Sequence, residues 1–379
     1  MGTETKGFYR NPVWMVIFLA LTPGSAVAQS PLRLLDTDWR TDWAKTSIDL
    51  AELEPNVPRD AIPSIDSPQF ITVSEAERWV GENEPVIRVS VGSETKAYPL
   101  QVLIWHEIVN DRIGETPITV TFCPLCYSAL VFKRSIKGDE YHFGVSGMLR
   151  HSDLVMYDRE THSLWQQLSG EAIAGTFTGT VLEQIPAQII SFRQFKDEFG
   201  NGRVLSKETG HQRRYGENPY VGYDDISEKP WLFRGSIDDR LPPMEKVVTV
   251  TIENVDKAYP HSVTRDEGVI HDRVGGTEIV IFHTRKGAVS ALDESSINRS
   301  RTLGSTGVFS PVIDDGRSLS FRRKSDHFVD SETGSTWNVA GNAVSGELAG
   351  AQLEPIPHGD IFSFAWFVVK PNTLLYSKK

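Results

Sequence analysis

Two cysteines at close spacing are the residues best suited to chemistry in this chain of 379 residues. Cys123 and Cys126 enclose Pro124 and Leu125, and a tight turn at this spacing presents both thiols on the same side. Soft thiolate ligands select Cu(I), zinc or iron. We therefore predict that the pair supplies half of a transition-metal site for copper, zinc or iron.

Such a site needs further donors, because structural and catalytic zinc sites are usually four-coordinate. His106 is the first candidate, since it lies shortly before the strand that delivers the cysteines. We expect Glu107 to orient that imidazole, and we take Glu107 and Cys123 as the candidate catalytic residues. Met148 and His151, on one glycine-containing segment, are the remaining candidate metal ligands.

Other interpretations of the cysteine pair remain open. The pair is also typical of a thiol-disulfide oxidoreductase, although the apolar run 129–132 that follows resembles a strand rather than the helix that lowers a thiol pKa. An exported protein can oxidise two close cysteines to a structural disulfide. A nucleophilic cysteine with His106 as its base, and non-catalytic binding or delivery of copper, complete the alternatives.

Four residues are candidates for binding a substrate. Arginine forks recognise carboxylates and other anions through paired hydrogen bonds. One arginine follows the glycine-containing segment, and the others lie in a later polar and aromatic cluster. The candidates are Arg150, Arg213, Arg214 and Tyr215.

The chain contains an internal repeat. Lys96-Ala97-Tyr98-Pro99 recurs as Lys257-Ala258-Tyr259-Pro260, an offset of 161 residues, and the likeness extends through residues 86–206 and 247–377. In both copies short runs rich in Val, Ile and Thr alternate as half-buried strands do. We predict a mainly β fold, a β-rich α+β class, made of two tandem related domains from an internal duplication.

The two copies differ at the candidate site. At the same offset His106 falls on Glu267, and the two cysteines fall on Thr284 and Gly287. Residues that both copies share are those that the fold itself needs. The residues of a functional site need to be kept in only one copy. We therefore expect the first copy to hold the site and the second to be a degenerate structural partner.

Three segments lie outside the repeats. Residues 1–28 combine basic residues, a short apolar run and a small-residue cleavage site, which is the pattern of a secretory signal peptide. Residues 29–85 form a Pro-rich lead-in that we expect to pack on the first domain, and residues 207–246 form a linker strap. A capping box predicts a short helix over 74–79, and a second short helix is expected over 194–199.

The net charge and the predicted export limit the kinds of partner that this protein can have. The net charge of −11 argues against a nucleic-acid-binding protein. The mature protein is expected in the periplasm or outside the cell, with no membrane association after cleavage. Its expected partner is a small molecule or a redox protein, whose identity the sequence leaves open.

Several motifs in order resemble a known family. They include Lys96-Ala97-Tyr98-Pro99, Thr121-Phe122-Cys123-Pro124-Leu125-Cys126, Phe143-Gly144-Val145-Ser146-Gly147 and Ser163-Leu164-Trp165. Over residues of about 86–223 the chain is similar to the bacterial and archaeal family DUF3179. The resemblance implies that the first unit is the principal domain, and it implies no activity.

Overall fold

The computed structural model describes residues 38–378, so the predicted signal peptide lies outside the described residues. Within this range the chain forms 27 strands and five α-helices, which confirms the predicted mainly β class. None of the α-helices exceeds seven residues, and no helix in the described part is long and apolar enough to cross a membrane.

From residue 38 onward the N-terminal half contains three α-helices, sixteen strands and one 3-10 helix at Leu50–Glu52. The helices are α1 (Val73–Ala76), α2 (Leu100–His106) and α3 (Phe192–Glu198). The strands are β1 (Glu54–Pro55), β2 (Phe70–Thr72), β3 (Pro85–Val91), β4 (Glu94–Pro99), β5 (Ile108–Ile113), β6 (Thr116–Cys123), β7 (Ser128–Lys133), β8 (Ser135–Ile136), β9 (Asp139–Glu140), β10 (Phe143–Arg150), β11 (Asp153–Asp158), β12 (Leu164–Gln166), β13 (Glu171–Ala174), β14 (Gln184–Ile185), β15 (Ala187–Ser191) and β16 (Arg203–Leu205).

The C-terminal half contains two α-helices, eleven strands and a second 3-10 helix at Ile297–Arg299. The helices are α4 (His261–Glu267) and α5 (Ser363–Val369). The strands are β17 (Lys246–Ile252), β18 (Val255–Pro260), β19 (Val269–Val274), β20 (Thr277–Val289), β21 (Thr302–Phe309), β22 (Phe321–Lys324), β23 (His327–Asp330), β24 (Thr336–Trp337), β25 (Ala343–Ser345), β26 (His358–Phe362) and β27 (Leu374–Leu375).

Helix α1 begins earlier than the sequence pattern predicted. Thr72 is its N-cap, and the capping box pairs Thr72 with Glu75 rather than a residue pair starting at 74. A threonine hydroxyl can also cap a helix when its backbone is extended, and Thr72 has ψ 160. The second expected helix is confirmed as α3, which begins two residues earlier than predicted, with Ser191 and Gln194 as its capping box.

Three sheets of the N-terminal half position the candidate site. The first has the order β15-β3-β4-β16-β2, with β16 parallel to β4. The second, β14-β7-β6-β5, is antiparallel, and its strand β6 ends at Cys123. The third, β1-β10-β11-β12-β13, brings the segment after Arg150 toward that end of β6. The lead-in contributes β1 and a bridge from Ile65 to Val109.

The C-terminal half contains the same pairing pattern in its first sheet. The order is β26-β17-β18-β27, and β27 runs parallel to β18 as β16 does to β4. A buried aspartate accepts a bond from a tryptophan in both halves, at 3.0 Å for Trp165 Nε1 to Asp158 and 2.9 Å for Trp337 Nε1 to Asp330. These shared contacts are scaffold contacts. The duplication itself stays a prediction.

The two halves pack against each other through strands of four sheets. Strand β15 contacts β20 and β21 of the C-terminal half, while β26 of that half contacts β7. Polar bonds cross the same boundary, from Phe362 N to Cys126 O at 2.9 Å and from Gln188 Nε2 to Thr306 O at 3.0 Å. The largest apolar core contains residues of both halves. The cysteine turn therefore lies at the junction of the halves.

A matched pair of glycines tests whether the two halves depend on the same turn. Gly175 has φ 103, and an added Cβ would lie 2.8 Å from Ser163 Cα; Gly346 has φ 98 and a Cβ position 2.6 Å from Ser335 Cα. We expect Gly175→Ala and Gly346→Ala each to lower the free energy of unfolding by about 2 kcal/mol, from backbone strain and steric overlap together. Urea unfolding measures the change.

Gly138 provides the control for this prediction. Its φ is 95, but no atom lies within 4 Å of an added Cβ. Gly138→Ala should therefore show the strain alone and cost about 1 kcal/mol. Equal costs at all three positions would contradict the steric part of the argument.

Candidate metal centre

The cysteine pair lies on a tight turn between two buried strands. Strand β6 ends at Cys123 and β7 begins at Ser128, and the turn closes with bonds from Cys126 N to Cys123 O at 3.3 Å and from Tyr127 N to Pro124 O at 3.2 Å. Both cysteines are free thiols, 2% and 0% exposed. The predicted strand after the pair is thus present as β7.

A carboxylate joins the two thiols. Asp153 begins β11 directly after the turn from β10 and is 0% exposed. The Sγ atoms of Cys123 and Cys126 and a carboxylate oxygen of Asp153 all lie within 4.8 Å of one another. Among residues 38–378 this is the only group of three such side chains close enough to hold one metal ion.

Polar contacts fix one side of the Asp153 carboxylate and leave the other free. Oδ2 accepts from Gln166 Nε2 and from Leu168 N at 3.0 Å. Arg150 Nη1 donates to Gln166 Oε1 at 3.1 Å. Arg150 thus fixes the position of Gln166, which in turn fixes the carboxylate of Asp153. Oδ1 is buried and has no hydrogen-bond partner in the described part of the chain. A buried oxygen without a partner costs free energy, and a cation beside it would remove that cost.

The electrostatics of the group also favour a bound cation. Burial raises the pKa of both thiols, and the negative charge of Asp153 raises each further. Burial raises the pKa of Asp153 to about 7, against the opposing effect of its hydrogen bonds. Burial and the charge of Asp153 raise the pKa of Glu107 to about 8. Four acidic groups thus share a dry region, where protons or a metal ion must compensate their charge.

The backbone around the group is strained at four places. Glu107, Tyr127, His151 and Ser152 have φ between 53 and 67, although none is glycine. Such conformations are sparsely populated and persist where the surrounding structure enforces them, often at functional sites. Glu107 ends α2, Tyr127 leaves the cysteine turn, and the other two form the turn before Asp153. The strain therefore lies on the segments that bring the acidic side chains together.

The linker strap covers the turn. Tyr223 donates from its hydroxyl to Leu125 O at 3.0 Å, and Ser152 Oγ donates to Trp231 O at 2.7 Å. Burial raises the pKa of Tyr220, and the charges of Glu107 and Cys123 raise it further, so this ring also faces the site. The strap thus limits the access of water to the thiols.

The structure does not bring the expected imidazole ligand, His106, to the two cysteines. His106 is 0% exposed, but both of its nitrogens have partners away from the cysteines. Nδ1 donates to Pro63 O at 2.7 Å, because a carbonyl only accepts, and Nε2 therefore accepts from the Tyr215 hydroxyl at 2.7 Å. Burial lowers the pKa of His106 to about 4, so the ring is neutral. It fastens the lead-in and the strap to α2.

The other two expected donors are also placed elsewhere. His151 Nε2 lies 3.3 Å from Glu52 Oε2, because the strained turn directs its side chain away from Asp153. Met148 packs in a separate apolar cluster with Leu53 and Val155.

The candidate substrate-binding residues do not converge. Arg150 bonds to Glu52 and to the glutamine beside Asp153, so the structure brings only this one near the thiols. Tyr215 lies against His106, Arg213 Nη1 donates to the neighbouring Gln212 O, and Arg214 pairs with Glu217. The contacts of Arg213 and Arg214 lie within the strap, and that of Tyr215 joins the strap to α2.

Sequence reasoning missed Asp153 as the third member of the group. It stands three residues after Arg150, in the segment already singled out for Met148 and His151. A polar pair followed by an aspartate at the start of a strand was the available signal. Nothing in the sequence told which residue of that hairpin faces β6. Glu107, by contrast, was a candidate, and the structure places its charge near Cys123.

The fold and site define a mainly β protein with a buried group of two cysteines and one aspartate. The chain belongs to the DUF3179 family, described as a protein family of unknown function, whose model matches residues 59–373. The match extends beyond the stretch of about 86–223 whose motifs carry the resemblance, and it includes the C-terminal half. No curated protein and no solved structure matches this chain.

A histidine variant distinguishes the two ligand sets. We expect His106→Gln to leave Zn²⁺ binding as it is in the unchanged protein, because both ring nitrogens are already bonded elsewhere. Loss of those bonds should lower the free energy of unfolding by about 1–2 kcal/mol. Metal analysis and urea unfolding of the same preparation measure the two effects. If the unchanged protein binds Zn²⁺ and the folded variant does not, the imidazole is again a candidate ligand.

Proposed function

We propose that this protein binds one divalent transition metal ion, with Zn²⁺ as the best fit, through Cys123, Cys126 and Asp153. The observation that carries the proposal is the buried carboxylate of Asp153 within 4.8 Å of two buried thiols. Zinc ligands lie about 2.0–2.3 Å from the metal. Three ligand atoms within 4.8 Å of one another need only a small contraction to reach that geometry.

The donor set separates the candidate metals. Cu(I) prefers soft thiolate and thioether ligands, whereas the carboxylate of Asp153 is a hard donor. The thioether that would favour copper, that of Met148, lies in a separate core cluster. A mixed set of two sulfurs and one oxygen suits Zn²⁺, with Fe²⁺ second. Delivery of copper is therefore the weaker interpretation of the same residues.

Three protein ligands leave one position for water or a substrate, which is the arrangement of catalytic zinc sites. Glu107, 8% exposed, is the nearby acid that is not itself a member of the ligand group. In this proposal Glu107 holds a hydrogen bond to the group in the fourth position. The metal, when bound, supplies Lewis-acid chemistry there.

Thiol-disulfide exchange is less well supported. The attacking species in exchange is a thiolate, and reactive cysteines have lowered pKa values. Burial raises the pKa of both thiols here, and no positive side chain is among the causes that shift either of them. A thiolate that is active in exchange needs a positive charge nearby. In the proposed site a metal ion would supply that charge.

Metal analysis of the full chain tests the proposal. Protein purified without chelators should contain close to one zinc ion per chain, and Co²⁺ that replaces it should show thiolate-to-cobalt absorption. A metal-free protein that binds neither ion after reduction would overturn the proposal.

Zinc affinity should rise with pH. Both thiols must lose a proton to bind the metal, and burial raises their pKa values, so they are protonated at neutral pH. We expect the affinity to increase at least tenfold per pH unit between pH 6 and 8. Competition with a chelating dye of known proton affinity measures it. Affinity that stays constant over this range would argue against thiolate ligands.

We also propose that the protein is exported and cleaved after Ala28. The support is the pattern of residues 1–28 alone. Expression of the full chain in a Gram-negative host should yield a periplasmic product that begins at Gln29. N-terminal sequencing measures the cleavage site, and an uncleaved cytoplasmic product would contradict the proposal.

A further inference from the structure

A second polar site lies in the C-terminal half. A cavity of about 500 Å³ is lined by residues of the strap and of this half, among them Asp224, Lys246, His261, His283 and Arg301. It is separate from the cysteine group, whose three members do not line it. Tyr127, the residue after Cys126, lines a smaller adjoining cavity together with Lys246 and His261.

A histidine and an aspartate form a pair at this cavity. His261 Nε2 lies 2.6 Å from Asp360 Oδ1, and Thr306 Oγ1 donates to both carboxylate oxygens at 2.9 and 2.8 Å. Burial alone would raise the pKa of Asp360, but the hydrogen bond and charge of His261 lower it to about 2, so the carboxylate is ionised. The pair therefore fixes the imidazole, with Nε2 directed at the carboxylate.

The remaining nitrogen of His261 is available to a ligand. Nδ1 makes no hydrogen bond within residues 38–378, and the side chain is 17% exposed while it lines the cavity. His283 packs beside it at a ring distance of 5.2 Å, with its own Nδ1 bonded to Thr264 at 2.8 Å. With Nε2 donating to Asp360, a neutral His261 carries its lone pair on Nδ1.

Two positively charged side chains, Lys246 and Arg301, line the same cavity. Lys246 is 6% exposed, with Nζ 3.3 Å from Asp224 Oδ2 and 3.3 Å from the centre of the Tyr127 ring. Arg301 bonds to Asp224 and Asp293. These contacts hold both positive groups in place, so they are preorganised to stabilise negative charge that develops on a bound molecule.

Comparison of the halves argues against a purely structural role. At the offset of 161 residues His261 falls on Leu100 and His283 on Phe122, and both of these are 0% exposed. The same scaffold positions are thus satisfied by apolar residues in the N-terminal half. Buried imidazoles and charges cost desolvation free energy that apolar residues avoid. Their presence at these positions is explained if the cavity performs chemistry.

We propose that His261, oriented by Asp360, is a general base that deprotonates a water molecule or hydroxyl group of a small polar ligand in this cavity. With an ester as ligand, Nδ1 takes a proton from water as the water oxygen forms a bond to the carbonyl carbon. The bond to the leaving alkoxide then breaks, and the imidazolium returns its proton to the leaving group or to solvent. Lys246 stabilises the negative charge on the carbonyl oxygen. Asp360 is a positioning residue.

Hydrolysis of 4-nitrophenyl acetate by the full chain tests this proposal. The measurement uses the Cys123→Ser variant as the parent, so that a metal at the cysteine group does not contribute to the rate. We expect His261→Gln to lower kcat/KM at least tenfold, within the range for general bases. Asp360→Asn should lower kcat with little change in KM. His142→Gln is the matched control, because His142 also pairs with a carboxylate, that of Glu160 at 2.9 Å, but on the surface.

Chemical rescue separates a lost base from a lost fold. His261→Gly should regain activity when free imidazole is added, because the side chain leaves a space open to the cavity. A parent rate no higher than that of free imidazole, or a His261→Gln rate within twofold of the parent, would overturn the proposal. So would failure of imidazole to rescue a His261→Gly protein whose circular dichroism matches the parent. None of these results bears on zinc binding.

Discussion

Cys126→Ser is expected to lower zinc affinity by roughly 1,000-fold, about 4 kcal/mol. The serine hydroxyl has a similar shape but is a hard, neutral donor that replaces one of two thiolates. The position is 0% exposed, and its backbone carbonyl binds Phe362 N, so the turn itself should persist. Zinc competition with a chelating dye, on protein first stripped of metal and reduced, measures the loss.

The chain has only two cysteines, so the comparison extends to both. Cys123→Ser should show the same loss, since both sulfurs belong to the group. Ser146→Ala is a control in the same region: its buried hydroxyl bonds to Val155 O, away from the thiols. A zinc affinity that Cys126→Ser leaves within tenfold of the unchanged protein would refute the site.

Asp153→Asn is expected to weaken zinc binding several hundredfold while it stabilises the metal-free protein at pH 8. The amide cannot supply the charge of the carboxylate, which accounts for the weaker binding. The opposite effect on stability follows from burial, which raises the pKa of Asp153 to about 7. Zinc titration and urea unfolding at several pH values measure the two effects.

The sign of the stability change depends on pH. The pKa of Asp153 is higher in the folded chain than in the unfolded chain. Protonation of Asp153 therefore stabilises the fold fully below about pH 4, and this stabilisation is lost as the pH rises through about 7. Above that pH the metal-free protein buries an ionised carboxylate. We therefore expect the asparagine variant to be more stable at pH 8 by about 1–2 kcal/mol, and equal to the unchanged protein near pH 4.

Asp158→Asn is the matched control. Asp158 is also 0% exposed, but Trp165 Nε1, Thr161 N and the Thr161 hydroxyl satisfy its oxygens. Its replacement removes charge-assisted bonds and should lower the free energy of unfolding by about 2 kcal/mol. If both variants are destabilised at pH 8, the carboxylate of Asp153 is not an uncompensated charge.

Much of the fold was predictable from local patterns. Alternating Val, Ile and Thr residues predicted β3 and the strands around the cysteines, and the mainly β class is confirmed. Helix α3 was expected, and α1 was misplaced by two residues because a threonine rather than a serine caps it. Local signals suffice for these elements because hydrogen bonding and side-chain alternation within a strand or helix depend on near neighbours.

The candidate site was predictable in part. The cysteine pair and Glu107 were identified by type and spacing, and the structure places them close to one another. The structure does not bring His106 to the thiols, because its position beside Glu107 in sequence does not determine which way its ring points. The strained φ of 57 at Glu107 turns the chain between them, so that His106 bonds to Pro63 and Tyr215 while Glu107 is directed toward the thiols.

By itself the sequence determined the residues that repeat at an offset of 161, the two thiols on one turn and the mainly β class, because each depends on composition or short spacing. Only the tertiary structure decided that Asp153 completes the group, 27 residues beyond Cys126, and that His261 pairs with Asp360. Those pairs are set by how separate sheets pack and by which face each strand turns inward. A shift of one residue in register would reverse the face.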